Sequence, residues 1–120
     1  MIRPGNSSLQ VYLYAQPVDM RKQIDGLSAL VEQSMTVSPF SKSLFVFVNK
    51  RTDKLKILYW EKNGFVIWHK RLEANRFCWP KAGEPAQVSV KELNMLLDGY
   101  DIFRFKPHAP LKSVSGMIAR

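Results

Sequence analysis

The alternation of apolar and polar positions predicts three consecutive β-strands in the middle of the chain. Apolar and β-prone residues predominate at positions 44–48, 54–60 and 65–72, and polar, turn-prone stretches separate them. The second separator ends in Asn63-Gly64, a pair that is typical of tight hairpins. We therefore expect a meander of two antiparallel hairpins. A further short strand is predicted at 10–14, where β-prone residues also alternate.

A helix is predicted between the first strand and the meander. Its apolar residues recur at spacings of four, three and four, and they are Met20, Ile24, Leu27 and Val31. Asp19 is suited to the N-cap, because its carboxylate can accept a hydrogen bond from a free backbone N–H. We expect this helix to begin near Asp19 and to end before Pro39.

A second helix is predicted after the meander. Ser89 and Glu92 have the S-x-x-E spacing of a capping box, and Gly99 is the residue type that commonly follows a last helical turn. The apolar side between them consists of Val90, Leu93, Leu96 and Leu97. The predicted element order is therefore β-α-β-β-β-α.

This order predicts an α+β fold with two helices and a curved antiparallel sheet of at least three strands. Apolar residues occupy both faces of the strand middles, which indicates a sheet that is covered on both sides or strongly curved. We expect a single α+β domain at 9–106, a flexible leader at 1–8 and an extended basic tail at 107–120. Extra strand residues are expected near 76–88 and 102–106.

The charge distribution gives the first indication of function. The 120-residue chain has a formal net charge of +8, and the excess is segregated along the sequence. Residues 42–76 hold nine Lys or Arg against three acids, residues 103–120 hold four against none, and the remainder holds five against seven. Such clustering is typical of proteins that bind polyanions. The alternative is a charged surface that only keeps the protein soluble.

The basic residues of the meander and of the segment after it form the predicted DNA-binding surface: Lys50, Arg51, Lys54, Lys56, Lys70, Arg71 and Arg76. A thin hairpin with a basic tip can enter a groove of the duplex or lie along its phosphates. Lysines at an exposed turn or sheet edge also prevent aggregation, and that interpretation stays open. The aromatic residues are expected to pack in the core rather than to stack on unpaired bases: Tyr59, Trp60, Trp68 and Trp79.

Catalytic and metal-binding arrangements are not indicated. His69 and His108 are distant in sequence, Cys78 is the single cysteine, and the carboxylates form no recognisable motif. The six glycines form no phosphate-binding loop. We therefore expect no metal, no cofactor and no enzymatic activity. The lone cysteine and the lack of a secretory or membrane-spanning segment predict a cytoplasmic protein.

Three runs of the chain together carry a family resemblance. They are DMRKQIDGLSALV at 19–31, PFSKSLFVFVNKRTDKLKILYWEKNGFVIWHKRLEANRFCWP at 39–80 and VSVKELNMLLDGYD at 88–101. With these runs in this order and spacing, the chain resembles the TnpB accessory proteins of the insertion-sequence sixty-six family of bacterial transposable elements. Gln23 departs from the family pattern, which often has glycine at that position.

The resemblance implies an accessory role in transposition, beside a separate transposase that carries out the strand chemistry, and it implies no catalytic residues. Together with the charge, it leads to the hypothesis of a non-catalytic accessory protein that binds DNA, with transposon-end duplex as the expected partner. The alternative is a protein-interaction adaptor that docks the transposase or another transposon protein through aromatic residues and the tail. A small nuclease is the third hypothesis, and it requires metal-dependent cleavage that one specific carboxylate supports.

Overall fold

The computed structural model describes residues 8–81 and 87–103. Within these residues the chain forms β1 (Gln10–Leu13), α1 (Ile24–Ser34), β2 (Ser43–Val48), β3 (Lys54–Glu61), β4 (Gly64–Arg71), β5 (Gln87–Val88) and α2 (Val90–Leu97). The predicted order β-α-β-β-β-α is confirmed, and the two-residue β5 lies in the segment 76–88 where extra strand residues were expected. The fold class is α+β, as predicted.

The strands form one open sheet in the order β4-β3-β2-β1-β5. Strands β2, β3 and β4 make the predicted antiparallel meander, in which Phe45 pairs with Leu58 and Ile57 pairs with Trp68. Strand β1 runs parallel to β2, so the sheet is mixed rather than purely antiparallel. The direction follows from the connection, because a crossover that contains a helix returns the chain to the end of the sheet where the first strand began.

Each face of the sheet is covered by one helix, which explains why both faces of the strand middles are apolar. Successive residues of a strand point to opposite faces. On one side, which we call the α1 face, Leu27 of α1 belongs to the same buried cluster as Phe45 and Phe47 of β2. On the opposite α2 face, Leu96 of α2 belongs to the same buried cluster as Val46. Burial of these side chains is the main force that holds the three layers together.

The β3–β4 hairpin is confirmed, but its loop residues are Lys62 and Asn63 rather than the pair Asn63-Gly64. Gly64 already belongs to β4, where it pairs with Glu61. The positive φ of 54° falls on Lys62. The resulting register places Lys54 opposite Arg71 at the other end of the hairpin.

Helix α1 begins at Ile24, five residues after the predicted N-cap. Asp19 does not cap this helix, because its carboxylate accepts a hydrogen bond at 2.9 Å from the backbone N–H of Arg21 and forms a separate turn. Gln23 occupies the N-cap position without a side-chain hydrogen bond. The helix ends at Ser34, before the proline that was expected to stop it.

Helix α2 has both of its predicted end signals. The hydroxyl of Ser89 accepts a hydrogen bond from the backbone N–H of Glu92, and the Glu92 carboxylate accepts one from the N–H of Ser89. After the last turn, Gly99 adopts a φ of +97°, and its N–H donates to the carbonyl of Leu96 at 3.0 Å. The capping box and the glycine therefore define this helix as the sequence indicated.

Some predicted segments fall wholly or partly outside the described residues. The basic tail at 107–120 lies outside them, as does the leader at 1–8 except for Ser8. Of the strand expected at 102–106, only Ile102 and Phe103 are described, and they form a turn that packs on the α2-face core. In the described part of the chain, neither helix is long and apolar enough to cross a membrane.

Candidate nucleic-acid interface

The side chain of Asn49 organises the turn between β2 and β3. Its Oδ1 accepts hydrogen bonds at 3.0 Å from the backbone N–H groups of Asp53 and Lys54, and its Nδ2 donates to the Asp53 carboxylate at 2.7 Å. A closed network of this kind fixes the backbone conformation of the turn. The turn therefore presents Lys50 and Arg51, both exposed, in a defined geometry.

The segment after β4 holds the same turn from the side. The N–H of Leu72 donates to the carbonyl of Asp53 at 2.8 Å, and the N–H of Phe77 donates to the carbonyl of Thr52 at 2.7 Å. Phe77 is itself buried in the α2-face core. Main-chain hydrogen bonds thus anchor the basic turn to the body of the protein.

An open cleft of about 930 Å³ lies at this end of the sheet, on the α1 face. Three segments contribute to it: the β1–α1 connection, the β2–β3 turn, and the end of β4 with the residues after it. We call it the basic cleft, and its lining residues are Val18, Asp19, Met20, Arg21, Asn49, Lys50, Arg51, Lys54, His69, Arg71 and Glu73. The hairpin register brings the last two segments together, because Lys54 lies opposite Arg71.

Two arginines of the basic cleft are paired with carboxylates nearby in sequence. Arg21 contacts Asp19 with an Nη2–Oδ2 distance of 2.6 Å, and the Nε of Arg71 lies 2.9 Å from Oε2 of Glu73. The hydrogen bonds from Arg21 lower the pKa of Asp19 to about 2. Both carboxylates lining the cleft are therefore engaged by arginine.

The other cations of the basic cleft are less compensated. Arg51 is 3.9 Å from the Asp53 carboxylate, which is at the limit of an ion pair. Lys50 and Lys54 form no ion pair with any residue in the described ranges. Net positive charge therefore remains at the surface of the cleft, where an anion can reach it.

Lys56 does not belong to the exposed surface on which we predicted it. Only 3% of the residue is exposed, and its Nζ donates to the backbone carbonyls of Met20 and Lys22 at 2.8 and 2.9 Å. Burial lowers its pKa, while the two carbonyl acceptors favour the ammonium form. The prediction that Lys56 contacts phosphate is corrected for this reason: the side chain fixes the segment before α1 onto the sheet.

Lys70 and Arg76 also lie apart from the basic cleft. They line a separate depression with residues from the end of α2. The Nζ of Lys70 donates to the carbonyl of Leu97 at 2.9 Å, which places a cation at the negative end of the α2 dipole. The structure therefore brings Lys50, Arg51, Lys54 and Arg71 together and leaves Lys70 and Arg76 on the other side.

His69 and Arg21 line the basic cleft, although neither was among the residues predicted from the sequence to bind DNA. His69 and Arg71 alternate in the same phase along β4, so they share the α1 face, whereas Lys70 points to the α2 face. This alternation was a sufficient signal for His69. Arg21 had no such signal, because its position depends on the turn made by Asp19.

The expectation that aromatic residues pack in the core is confirmed for most of them. Tyr59, Trp68 and Trp79 are partly buried against the α2-face core. Trp60 instead forms a cluster with Phe40 and Phe65, in which the ring centroids are 5.0 to 5.2 Å apart. We call these three residues the aromatic cluster. Phe40 is 56% exposed, so this cluster reaches the surface.

The reactive residue types show no catalytic arrangement in the part of the chain that is described. The thiol of Cys78 is half-buried, and burial raises its pKa, which disfavours the thiolate. No three His, Cys, Asp or Glu side chains within residues 8–81 and 87–103 come together as metal ligands would.

The fold and the cleft define a class: an α+β protein with a five-stranded mixed sheet, one helix on each face and a cationic cleft at one end. The family model described as IS66 Orf2 like protein matches residues 9–107. The chain therefore belongs to the family of IS66 Orf2-like proteins, and the resemblance noted in its sequence is confirmed. This membership supports a role as an accessory protein of insertion-sequence transposition.

Two relatives from Sinorhizobium fredii are similar over most of the chain. Uncharacterized protein y4jC is 36% identical over 107 residues, which cover 88% of this chain and 91% of the relative. Uncharacterized protein y4hO is 30% identical over 99 residues, which cover 82% and 86%. No solved structure matches the chain.

Proposed function

We propose that the protein is a non-catalytic accessory factor of transposition that binds duplex DNA, the transposon ends in particular, through the basic cleft. The observation that supports this most strongly is the convergence of Lys50, Arg51, Lys54 and Arg71 from two separate segments on one open cleft. Exposed cations on a fixed framework neutralise backbone phosphates and release counterions, which is the main source of affinity for DNA. Arg21 completes the set from a third segment.

The non-catalytic part of the proposal is supported by the state of the nearby carboxylates. Two-metal cleavage of a phosphodiester needs several carboxylates free to bind cations. In the basic cleft, Asp19 and Glu73 are instead hydrogen-bonded to Arg21 and Arg71. The chemistry of strand transfer is therefore assigned to the separate transposase.

The proposal is tested by measuring affinity for an element-end duplex and for a scrambled duplex of equal length across a salt series. With three to four phosphates neutralised, we expect the slope of log affinity against log salt concentration to be about −2.7 to −3.6, since each phosphate contributes about −0.9. An affinity that stays flat between about 50 and 200 mM salt contradicts the mechanism. A preference for the element-end duplex would add specificity for the transposon.

A pair of matched variants separates the cleft from net charge. Lys50→Glu with Arg51→Glu changes the cleft, and Lys42→Glu with Arg76→Glu makes the same change in net charge at exposed sites that do not line it. We expect the first variant to weaken binding to all duplex sequences by at least about tenfold, because phosphate contacts carry no sequence information. Equal losses in both variants would show that the cleft is not the contact surface.

The aromatic cluster supports a second candidate, an adaptor that docks the transposase or another transposon protein. Trp60 lies about 20 Å along β3 from Lys54, given a rise of about 3.3 Å per residue, so the cluster is remote from the basic cleft. Exposed aromatic residues are enriched at protein interfaces. The test is association with the transposase in nuclease-treated extract. If the protein is an adaptor, the association should survive nuclease treatment and should be weaker in Phe40→Ser. Loss of the association when the DNA is digested would contradict this function.

A further inference from the structure

We propose that His69 is a phosphate-contacting residue of the basic cleft that becomes protonated when a DNA backbone occupies the cleft. This inference rests on the proposed function and adds a proton that the complex takes up. His69 was not part of the predicted binding set, and its place in the cleft follows from the strand pairing.

The strand register places His69 among three cations on the α1 face. It lies directly opposite Lys56 of β3, with Lys54 as its diagonal neighbour and Arg71 two residues further along β4. Directly opposite side chains in an antiparallel pair have Cβ atoms about 4.5–5.5 Å apart. His69 also lines the cleft and is exposed, so its imidazole is within reach of an incoming anion.

The Lys56 ammonium beside His69 is held in place by the fold. It is buried and donates hydrogen bonds to the carbonyls of Met20 and Lys22, whereas Arg71 and Glu73 form an exposed ion pair. A protonated His69 therefore cannot relieve its repulsion with Lys56 by displacing that ammonium. Its protonation state therefore depends on what occupies the cleft.

In the free protein the surroundings of His69 favour the neutral imidazole. Partial burial, followed by the charges of Lys56, Lys54 and Arg71, holds the pKa of His69 below its ordinary value. A phosphate oxygen beside the ring supplies a negative charge and an acceptor, and both raise the pKa of the imidazole. The imidazolium then has two N–H donors instead of one, so the protonated ring binds phosphate better than the neutral ring.

The arginines and Asp19 of the cleft do not produce the same pH response. The groups that face His69 or line the cleft with it are Lys54, Lys56, Arg71 and Glu73 on the hairpin side, Lys50 and Arg51 on the turn, and Asp19 and Arg21 before α1. The arginines stay protonated at all relevant pH values. Asp19 stays ionised, since its pKa is about 2. An imidazole is the side chain whose ordinary pKa lies between about pH 5 and 8.

The direction of the pH dependence follows from the thermodynamic linkage between proton binding and DNA binding. Because the bound state holds more protons than the free state, affinity for DNA rises as the pH falls through the raised pKa of the complex. The gain is complete once the pH is below the lowered pKa of the free protein. We expect wild-type affinity for duplex DNA to be about tenfold higher at about pH 5.5 than at about pH 8.

The experiment combines NMR titration of the imidazole Hε1 signals with duplex affinities at the two pH values. The chain has two histidines, so in His108→Gln the only remaining imidazole signal is that of His69. This variant is the matched control. In this variant the pKa of His69 should rise when duplex is added, and the pH dependence of affinity should persist. His69→Gln should remove the pH dependence, and His69→Lys should bind at both pH values about as tightly as wild type at the lower one.

The outcomes distinguish this inference from the proposed function. If duplex binds in a salt-dependent manner but the pKa of His69 is the same in the free and saturated protein, the inference is wrong and the proposed function stands. A pH dependence that survives unchanged in His69→Gln also overturns the inference. If no duplex binds at either pH, both the inference and the proposed function fail.

Discussion

At the scale of single residues, the two lysines that share one face of β3 have different roles. Lys54 lines the basic cleft and makes no ion pair with any described residue. Lys56, two positions later, is buried and bonded to two backbone carbonyls. A lysine in a basic segment is therefore a surface residue or a structural residue according to what lies above it on the sheet.

We predict that Lys56→Met lowers the free energy of unfolding by about 1–3 kcal/mol, because the carbonyls of Met20 and Lys22 lose their donor. The matched variant Lys54→Met should leave stability nearly unchanged and weaken duplex binding. Urea unfolding and salt-dependent binding of both variants make the comparison. If Lys56→Met keeps normal stability but loses DNA affinity, Lys56 contacts DNA and its assignment as a structural residue is wrong.

The roles of individual residues were the part of the site that the sequence predicted least well. Strand alternation separates Lys70 from Arg71 and places His69 beside Arg71, so the β4 part of the cleft can be predicted from the sequence. The burial of Lys56 could not be read in this way. It depends on where the carbonyls of Met20 and Lys22 lie, which is a contact between residues 34 and 36 positions apart.

At the scale of elements, the β2–β3 turn depends on one side chain. Asn49 makes three hydrogen bonds to Asp53 and Lys54. The turn is the part of the basic cleft that carries Lys50 and Arg51. Its stability and its function should therefore change together.

We predict that Asn49→Ala lowers the free energy of unfolding by about 1–2 kcal/mol and also weakens duplex binding, because partly buried partners lose hydrogen bonds and the turn loosens. Asn63→Ala is the matched control in the other hairpin loop of the meander. Asn63 has no side-chain hydrogen bond within the described ranges, so its change should stay within about 0.5 kcal/mol. Denaturant unfolding measures the loss of unfolding free energy in both variants. Equal losses would disprove the role of Asn49.

Elements with local signals were predicted well from the sequence. The capping box at Ser89 and Glu92 and the stop at Gly99 are short-range hydrogen-bond patterns, so the sequence specifies them. The start of α1 was misplaced because Gln23 has no capping interaction and Asp19 bonds elsewhere. The parallel pairing of β1 with β2 was missed because strand direction depends on the path of a long connection, which local patterns do not record.

At the scale of the whole molecule, the two cores share the same strands. Residues of β2 alternate between the α1-face cluster and the α2-face cluster, so neither helix has a sheet of its own. Loss of packing on one face must therefore weaken the support of the other. This arrangement favours unfolding of both layers in one cooperative transition.

We predict that Leu27→Ala on α1 and Leu93→Ala on α2 each lower the global free energy of unfolding by about 2–5 kcal/mol, since both side chains are buried. Tryptophan fluorescence and far-UV circular dichroism should give the same midpoint in each variant. Met95→Ala, at a position 39% exposed, is the control and should have a small effect. Separate midpoints would instead indicate two units and would contradict a single domain.

The anchored turn also has a consequence for the speed of association. Leu72 and Phe77 hold the carbonyls of Asp53 and Thr52, so the cationic surface exists before any partner arrives. A complex that needs no loop rearrangement forms at a rate set by diffusion and by the attraction between opposite charges. In stopped-flow experiments, duplex binding should therefore appear as a single fast phase whose rate falls with added salt. No slower phase from rearrangement of the turn should follow.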